Sequence, residues 1–458
     1  MKHFLPILLL SLCTASCMNT TTIAHNTAPK NIIMVIGDGM GPAYTTAYRY
    51  FSDDPHTDVV EETVFDRHLT GLSSTHPATS SGLVTDSAAS ATALASGVKT
   101  YNGAIGVDVD KNKVQSVLAW AKIQGKATGV VVTSQINHAT PASYLTHNEH
   151  RRNYNAIADS YIDNTIKADL FLGGGQKYFI REDRNLVKEF GQAGFHYIDT
   201  YQDLTSLPKD KPILGLFADV GLPWALDDKN KHRLSAMTKS AVHQLMNYQE
   251  SKSKSNDGFF MLIEASQIDW AGHENDISAA MAEMDDLAKT LEYLEHFVEH
   301  HPNSLVIVTA DHSTGGLTVG AKGKYAWQPE KLRRMKHSPS YIAKALVKNK
   351  INKSMASALF NFELANEDIS LLINSKNNAK TINSTQIYKL KSTTDVEFSM
   401  TLAVKKLIDK YSNTGWTSGG HTAIDVPVLA FGQQSELFQG HQDNTEIAKK
   451  IFLLLGRK

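Results

Sequence analysis

Five short runs in this chain are apolar almost without interruption: "NIIMVIG" from Asn31, "ATGVVV" from Ala127, "FFMLIEA" from Phe259, "SLVIVTA" from Ser304 and "VPVLAFG" from Val426. A strand with one face in water alternates apolar and polar residues, whereas a strand covered on both faces need not. Runs this short, bounded by glycine, serine and aspartate, read as buried strands. Stretches of helical pattern separate them, at Val114–Gln124, Leu234–Glu250, Ile277–His300 and Asn444–Leu455. Such alternation predicts an α/β fold, a mostly parallel central sheet with helices on both faces.

The chain is long enough to bury such a sheet, with 458 residues of which 42% are hydrophobic. A formal charge of −1 lacks the basic footprint of a nucleic-acid binder, so no nucleic-acid partner is expected. One block breaks the rhythm. Residues 320–394 are rich in Lys, Asn and Ser, and hold ten Lys or Arg against one Glu between Lys322 and Lys353. It reads as an insertion within one domain of residues 28–458. Either it is a solvated face, or it is a cap, crown or dimer element that helps draw in anions.

Residues 1–24 read as an export signal. Lys2 and His3 precede an apolar run, Phe4–Leu12, that is too short to span a bilayer. Both cysteines, Cys13 and Cys17, fall inside this segment. Cys17 follows Thr-Ala-Ser, as the acylated cysteine of a lipoprotein does; the alternative is ordinary cleavage near Ala24. Either route predicts export from a bacterial cell, to the periplasm or to a lipid-anchored form.

The chemistry stands where the apolar runs stop. Asp38 follows the first run; Glu264, Asp269 and His273 follow the third; Asp311 and His312 follow the fourth. Ligands of open α/β sheets gather beyond the carboxyl ends of the strands. Carboxylates crowded there repel one another unless cations join them. Mixed Asp and His sets suit zinc, and an oxygen set suits magnesium. Asp269 and His273 are four apart, so one helical turn puts both on one face.

The blocks "DGMG" (Asp38–Gly41), "TDSAASATALASGVKTYNGAIGVD" (Thr85–Asp108), "EASQIDWAGH" (Glu264–His273), "TADHSTGG" (Thr309–Gly316) and "GGHTAIDVPVLAFG" (Gly419–Gly432) resemble those of alkaline phosphatases, in the family's order, from about Asn31 to Leu455. The resemblance implies an exported phosphomonoesterase with two Zn2+ and one Mg2+, acting on small phosphate monoesters, and commonly a homodimer. It implies that Ser87 is the nucleophile that becomes phosphoserine, and that Arg151, rather than its neighbour Arg152, grips the phosphate. Asp38, Asp311 and His312 match ligands of one zinc. Asp269, His273 and His421 match ligands of the second. Asp38, Thr140 and Glu264 match ligands of the magnesium, with Asp38 shared. His138 and Trp270 stand beside the magnesium position, where some bacterial members carry Asp and Lys. Tyr101, Asn102 and Gly103 match a supporting loop, and His147 is either a support or a surface residue.

Elementary chemistry agrees with these roles. A serine hydroxyl keeps its proton at neutral pH, and coordination to a cation removes that obstacle. Ser87 opens a run of small residues of helical character, so its oxygen would sit at a helix N-terminus, which favours anions. Arginine's planar fork can hold two phosphate oxygens at once. Two other readings remain open from the residues: a phosphodiesterase on the same two-metal scaffold, and an exported protein that binds metal or phosphate without turnover.

Overall fold

A computed structural model describes residues 28–252, 257–377 and 395–457. The export segment with Cys13 and Cys17 lies outside these residues, as does part of the 320–394 block.

Ten strands form one sheet: β1 (Asn31–Gly37), β2 (Leu69–Ser74), β3 (Ala127–Gln135), β4 (Leu170–Gly174), β5 (His196–Ile198), β6 (Ile213–Leu216), β7 (Phe259–Ala265), β8 (Ser304–Thr309), β9 (Val426–Gly432) and β10 (Gly440–Asp443). Their order is β10-β2-β9-β8-β1-β7-β3-β4-β6-β5. All neighbours are parallel except β9, which runs against both β8 and β2. The central strands are fully buried because alternate side chains feed two separate cores. Ile33 and Val35, with Met261, Ile263, Val306 and Val308, enter one. Ile32, Met34 and Ile36, with Phe260, Leu262, Leu305 and Ile307, enter the other. A sheet sandwiched this way needs apolar residues at every position, which is the pattern of the runs.

Register fixes where the carboxylates emerge. Ile36 of β1 lies level with Glu264 of β7 on one side and with Thr309 of β8 on the other. Asp38 and Asp311 each stand two residues beyond those pairs, at the same end of the sheet.

The lysine-rich block forms four helices among the described residues: Pro329–Arg334, Pro339–Lys348, Lys353–Phe360 and Asn366–Asn377. Most of its lysines face outward, yet Leu332, Met335, Ile342 and Leu346 join the core shared with Ile33 and Val35. The block is therefore packed onto the sheet's helical layer through an apolar underside, with solvent on its other side only. No helix of the described residues is long and apolar enough to cross a membrane.

Candidate active site

Ser87 opens a helix, Ser87–Ser96, whose N-cap is Asp86. The Asp86 side chain accepts from the Ala89 amide at 2.9 Å, and Gly97 closes the helix in the left-handed conformation with φ 75°. The alanines and serines between are buried, so the helix lies close against its neighbours. Ser87 itself is 1% exposed, and its Oγ lies 3.1 Å from His312 Nε2.

Three groups of potential ligands gather beyond the strand ends. Asp38, Asp311 and His312 form the first, entirely buried. Nε2 of His312 lies 3.2 Å from Asp311 Oδ2 and 3.5 Å from Asp38 Oδ1, so it faces both carboxylates and Ser87 at once. Asp269, His273 and His421 form the second. Asp269 and His273 lie on the helix Gln267–His273, one turn apart as their spacing requires. His421 arrives on a two-residue strand, His421–Thr422, paired with Ser313–Thr314. Asp38, His138 and Glu264 form the third, with the Thr140 side chain also buried. His138 precedes the helix Ala139–Leu145, which carries Thr140.

The chemistry of these donors fits cations. His421 Nδ1 donates to the Thr85 carbonyl at 2.8 Å, and His273 Nδ1 donates to the Gly419 carbonyl at 2.7 Å. Each bond fixes the proton on Nδ1 and leaves a lone pair on Nε2. Those two Nε2 atoms lie 3.0 Å apart, with Asp269 Oδ1 at 3.4 and 3.6 Å. Two neutral rings cannot satisfy each other in that arrangement; a cation between them can. Both Asp38 oxygens, Asp311 Oδ2, Glu264 Oε1, Thr140 Oγ1 and His138 Nδ1 are buried without a hydrogen-bond partner among the described residues. So many orphaned acceptors in one place are costly unless a cation joins them. Without one, burial raises Asp311 and Glu264 each to about 7. Asp38 is lifted well above the carboxylate range, first by burial and then by the charges of Asp311, Asp269 and Glu264. Burial, with Arg151 adding to it, lowers His138 to about 3, so its ring stays neutral.

Several partners that position these groups stand out only in the structure. The amides of Gly39 and His312 both donate to Asp311 Oδ1 at 3.0 Å. Ser266 donates to Glu264 Oε2 at 2.7 Å, and Thr314 donates to Asp269 Oδ1. Gly39 adopts φ 73°, and a Cβ there would come within 2.8 Å of the Asp269 backbone. The loop of the first group therefore touches the helix of the second. Asp86 also holds Arg151: Nη1 donates to its Oδ2 at 3.0 Å. Arg151 Nη2 lies 3.3 Å from His138 Nε2, whereas Arg152 is exposed. The Asn102 side chain binds the Asp86 amide and the Val84 carbonyl, both at 3.0 Å, which makes its loop a brace for the Ser87 helix. Trp270 meets His138 edge-on at 6.0 Å between centroids and also packs over Gly221. His147 donates to the Val114 carbonyl and belongs to none of the three groups.

Beneath the Gln267–His273 helix lies a second buried cluster. Arg233, 0% exposed, donates to Glu283 and Asp286 at 2.8 Å and to Gln267 Oε1 at 2.6 Å. Glu283 also accepts from the Ala225 amide at 2.9 Å, and Asp286 accepts from the Leu234 and Ser235 amides at 3.0 and 3.1 Å.

The family model described as alkaline phosphatase matches residues 29–456. Alkaline phosphatase 3 of Bacillus subtilis (strain 168) is 42% identical over 470 residues, covering 99% of this chain and 97% of that protein. The crystal structure of a cold-active alkaline phosphatase from a psychrophilic Shewanella sp. superposes with a TM-score of 0.84 at 44% identity, covering 93% of this chain and 99% of that one. A structure of the alkaline phosphatase TAB5, in a mutant with a histidine replaced by glutamate and Mg bound in its M3 site, superposes with a TM-score of 0.66 at 28% identity, covering 94% and 99%. With the strand order, the buried donor groups and these matches in agreement, the chain belongs to the alkaline phosphatase family and is a metal-dependent phosphoric monoester hydrolase.

Proposed function

We propose that this chain hydrolyses small phosphate monoesters through a covalent phosphoserine at Ser87. The observation that carries the reading is the placing of the Ser87 hydroxyl, at a helix N-terminus, 3.1 Å from a histidine whose ring also faces an unpartnered oxygen of each of two carboxylates, Asp38 and Asp311.

Asp38, Asp311 and His312 would hold one zinc, Asp269, His273 and His421 a second, and Asp38, Glu264 and Thr140 a magnesium, with His138 close by. Divalent cations held there supply Lewis-acid stabilisation of the attacking and departing oxygens. Ser87 Oγ attacks phosphorus, the bond from phosphorus to the alcohol oxygen breaks, and the alcohol leaves. Water then attacks phosphorus, the bond to Ser87 Oγ breaks, and phosphate is released. Arg151, anchored through one edge by Asp86, turns its fork towards the phosphate oxygens. The first amides of the Ser87 helix add fixed donors to the same anion.

His138 makes the third position softer than an all-oxygen set. The TAB5 mutant with Mg bound after replacement of a histidine by an acid supports that reading. Residues 28–458 form the catalytic domain, with 320–394 an inserted cap. The export segment, periplasmic or lipid-anchored through Cys17, and a homodimeric state complete the proposal.

Acid quenching during turnover of a labelled phosphate monoester tests it. Label is expected on Ser87 in the wild type and absent from Ser87→Ala, whose hydrolysis also falls to the background. Full turnover by Ser87→Ala would end the serine assignment.

A further inference from the structure

We propose a second, exposed metal site on the last turn of the Ile277–His300 helix, formed by His296, Glu299 and His300 and suited to a first-row divalent ion such as Zn2+. The three residues stand at i, i+3 and i+4, so they share one face. Each offers one ligand atom, and these atoms all lie within 4.8 Å of one another. The rings of His296 and His300 have centroids 4.3 Å apart.

Three further observations favour a ligand here over a chance cluster. His300 Nδ1 donates to the His296 carbonyl at 2.9 Å, which fixes its tautomer and leaves the Nε2 lone pair outward, as metal-bound histidines require. The site lies at the helix C-terminus, where the unpaired carbonyls place partial negative charge that favours a cation. Neighbouring acids are already engaged: Glu295 by Arg67 and His68, and Glu292 by Lys289. Among the described residues Glu299 instead meets only His296, at 3.4 Å. His301 is not part of the group, because its ring stacks on Phe297 at 4.3 Å and donates to the Phe297 carbonyl.

Two imidazoles and a carboxylate are a donor set for zinc or its neighbours, with coordination positions left for water. The helix begins beside His273, and at 1.5 Å per residue His296 lies about 30 Å along it. The site is therefore remote from Ser87. A fully loaded chain would carry one more metal equivalent than its buried centre takes.

Zinc titration of the metal-loaded protein, followed by calorimetry, tests this. Wild type is expected to bind one further equivalent that the double variant His296→Ala/His300→Ala lacks. Glu299→Gln should weaken it at least tenfold, and His301→Ala should leave it unchanged. Hydrolytic activity should be equal in all four proteins, which shows that each is folded. Equal zinc uptake by wild type and the double variant would overturn the site. So would an equally large loss in His301→Ala.

Discussion

Two clusters of buried charge lie on opposite sides of one short helix, Gln267–His273, and they are built differently. Around Arg233 every carboxylate has a donor: the guanidinium and three backbone amides converge on Glu283 and Asp286. Burial still lifts Asp286 to about 6, but the guanidinium and the amides act against it. Around Asp38 the carboxylates face one another, and several of their oxygens have no partner. In the first cluster each carboxylate meets donors from the chain itself, and among the described residues Arg233 Nε alone is left without a partner. The second is complete only when cations arrive. One helix spans both, with Gln267 bound to Arg233 and with Asp269 and His273 turned to the second cluster. A satisfied cluster thus serves as the footing for an unsatisfied one.

The contrast breaks most visibly at Asp38. Asp38→Asn should lower phosphate-ester hydrolysis on the order of 10³-fold, because it removes a group shared by two ligand sets. The same change should raise the melting temperature of the metal-stripped chain at pH 8, since it removes a buried acid that burial and the charges of Asp311, Asp269 and Glu264 all penalise. A lower melting temperature for the stripped variant would refute the account of that cluster. Arg233→Met should do the reverse. It strands two buried carboxylates and should cost about 3–5 kcal/mol in urea unfolding of the metal-loaded protein. A loss below about 1 kcal/mol would show that this cluster is not the footing described.

The smallest effect is a pH slope. In the metal-stripped chain the folded values of Asp311 and Glu264, about 7, lie above their ordinary values of 3.8 and 4.5. The folded form then binds more protons than the unfolded form between roughly pH 4 and 7, so stability falls as pH rises through that window. Chelation should therefore lower the melting temperature more at pH 8 than at pH 5. Equal drops at both would show that those carboxylates are not strained by burial.

Much of this was legible in the sequence, and the exceptions have physical causes. The apolar runs at Asn31, Phe259 and Ser304 announced buried strands because a doubly covered strand has no polar position to spare. The helix Ile277–His300 was readable to its ends, since Asp276 caps its start through the Ser278 and Ala279 amides. The expected Val114 helix begins instead at Val117, because the Ser116 side chain caps it by accepting from the Ala119 amide. Nothing in "VPVLAFG" disclosed that it runs antiparallel, because a buried run has the same composition in either direction. The ligand groups followed from the family's motifs. The bonds that orient them did not: Thr314 reaches Asp269 across 45 positions, and Ser266, two residues from Glu264, is a common polar side chain without a signature of its own. The apolar underside of the 320–394 block was hidden by its lysines, which dominate composition while a helix needs only one apolar stripe to dock.

The register of β7, β1 and β8 has one more consequence. Neighbouring strands of any sheet lie about 4.8 Å apart, a spacing set by backbone hydrogen bonds and indifferent to side chains. Cations that act as a pair on one phosphate need a separation of about 4 Å. The pleated backbone thus spaces the loops that carry Asp38 and Asp311 and the strand end that carries Glu264, while Asp269 takes its place from the helix Gln267–His273. Adding a single residue between Ile36 and Asp38 would leave the composition of the centre intact and put its gauge out.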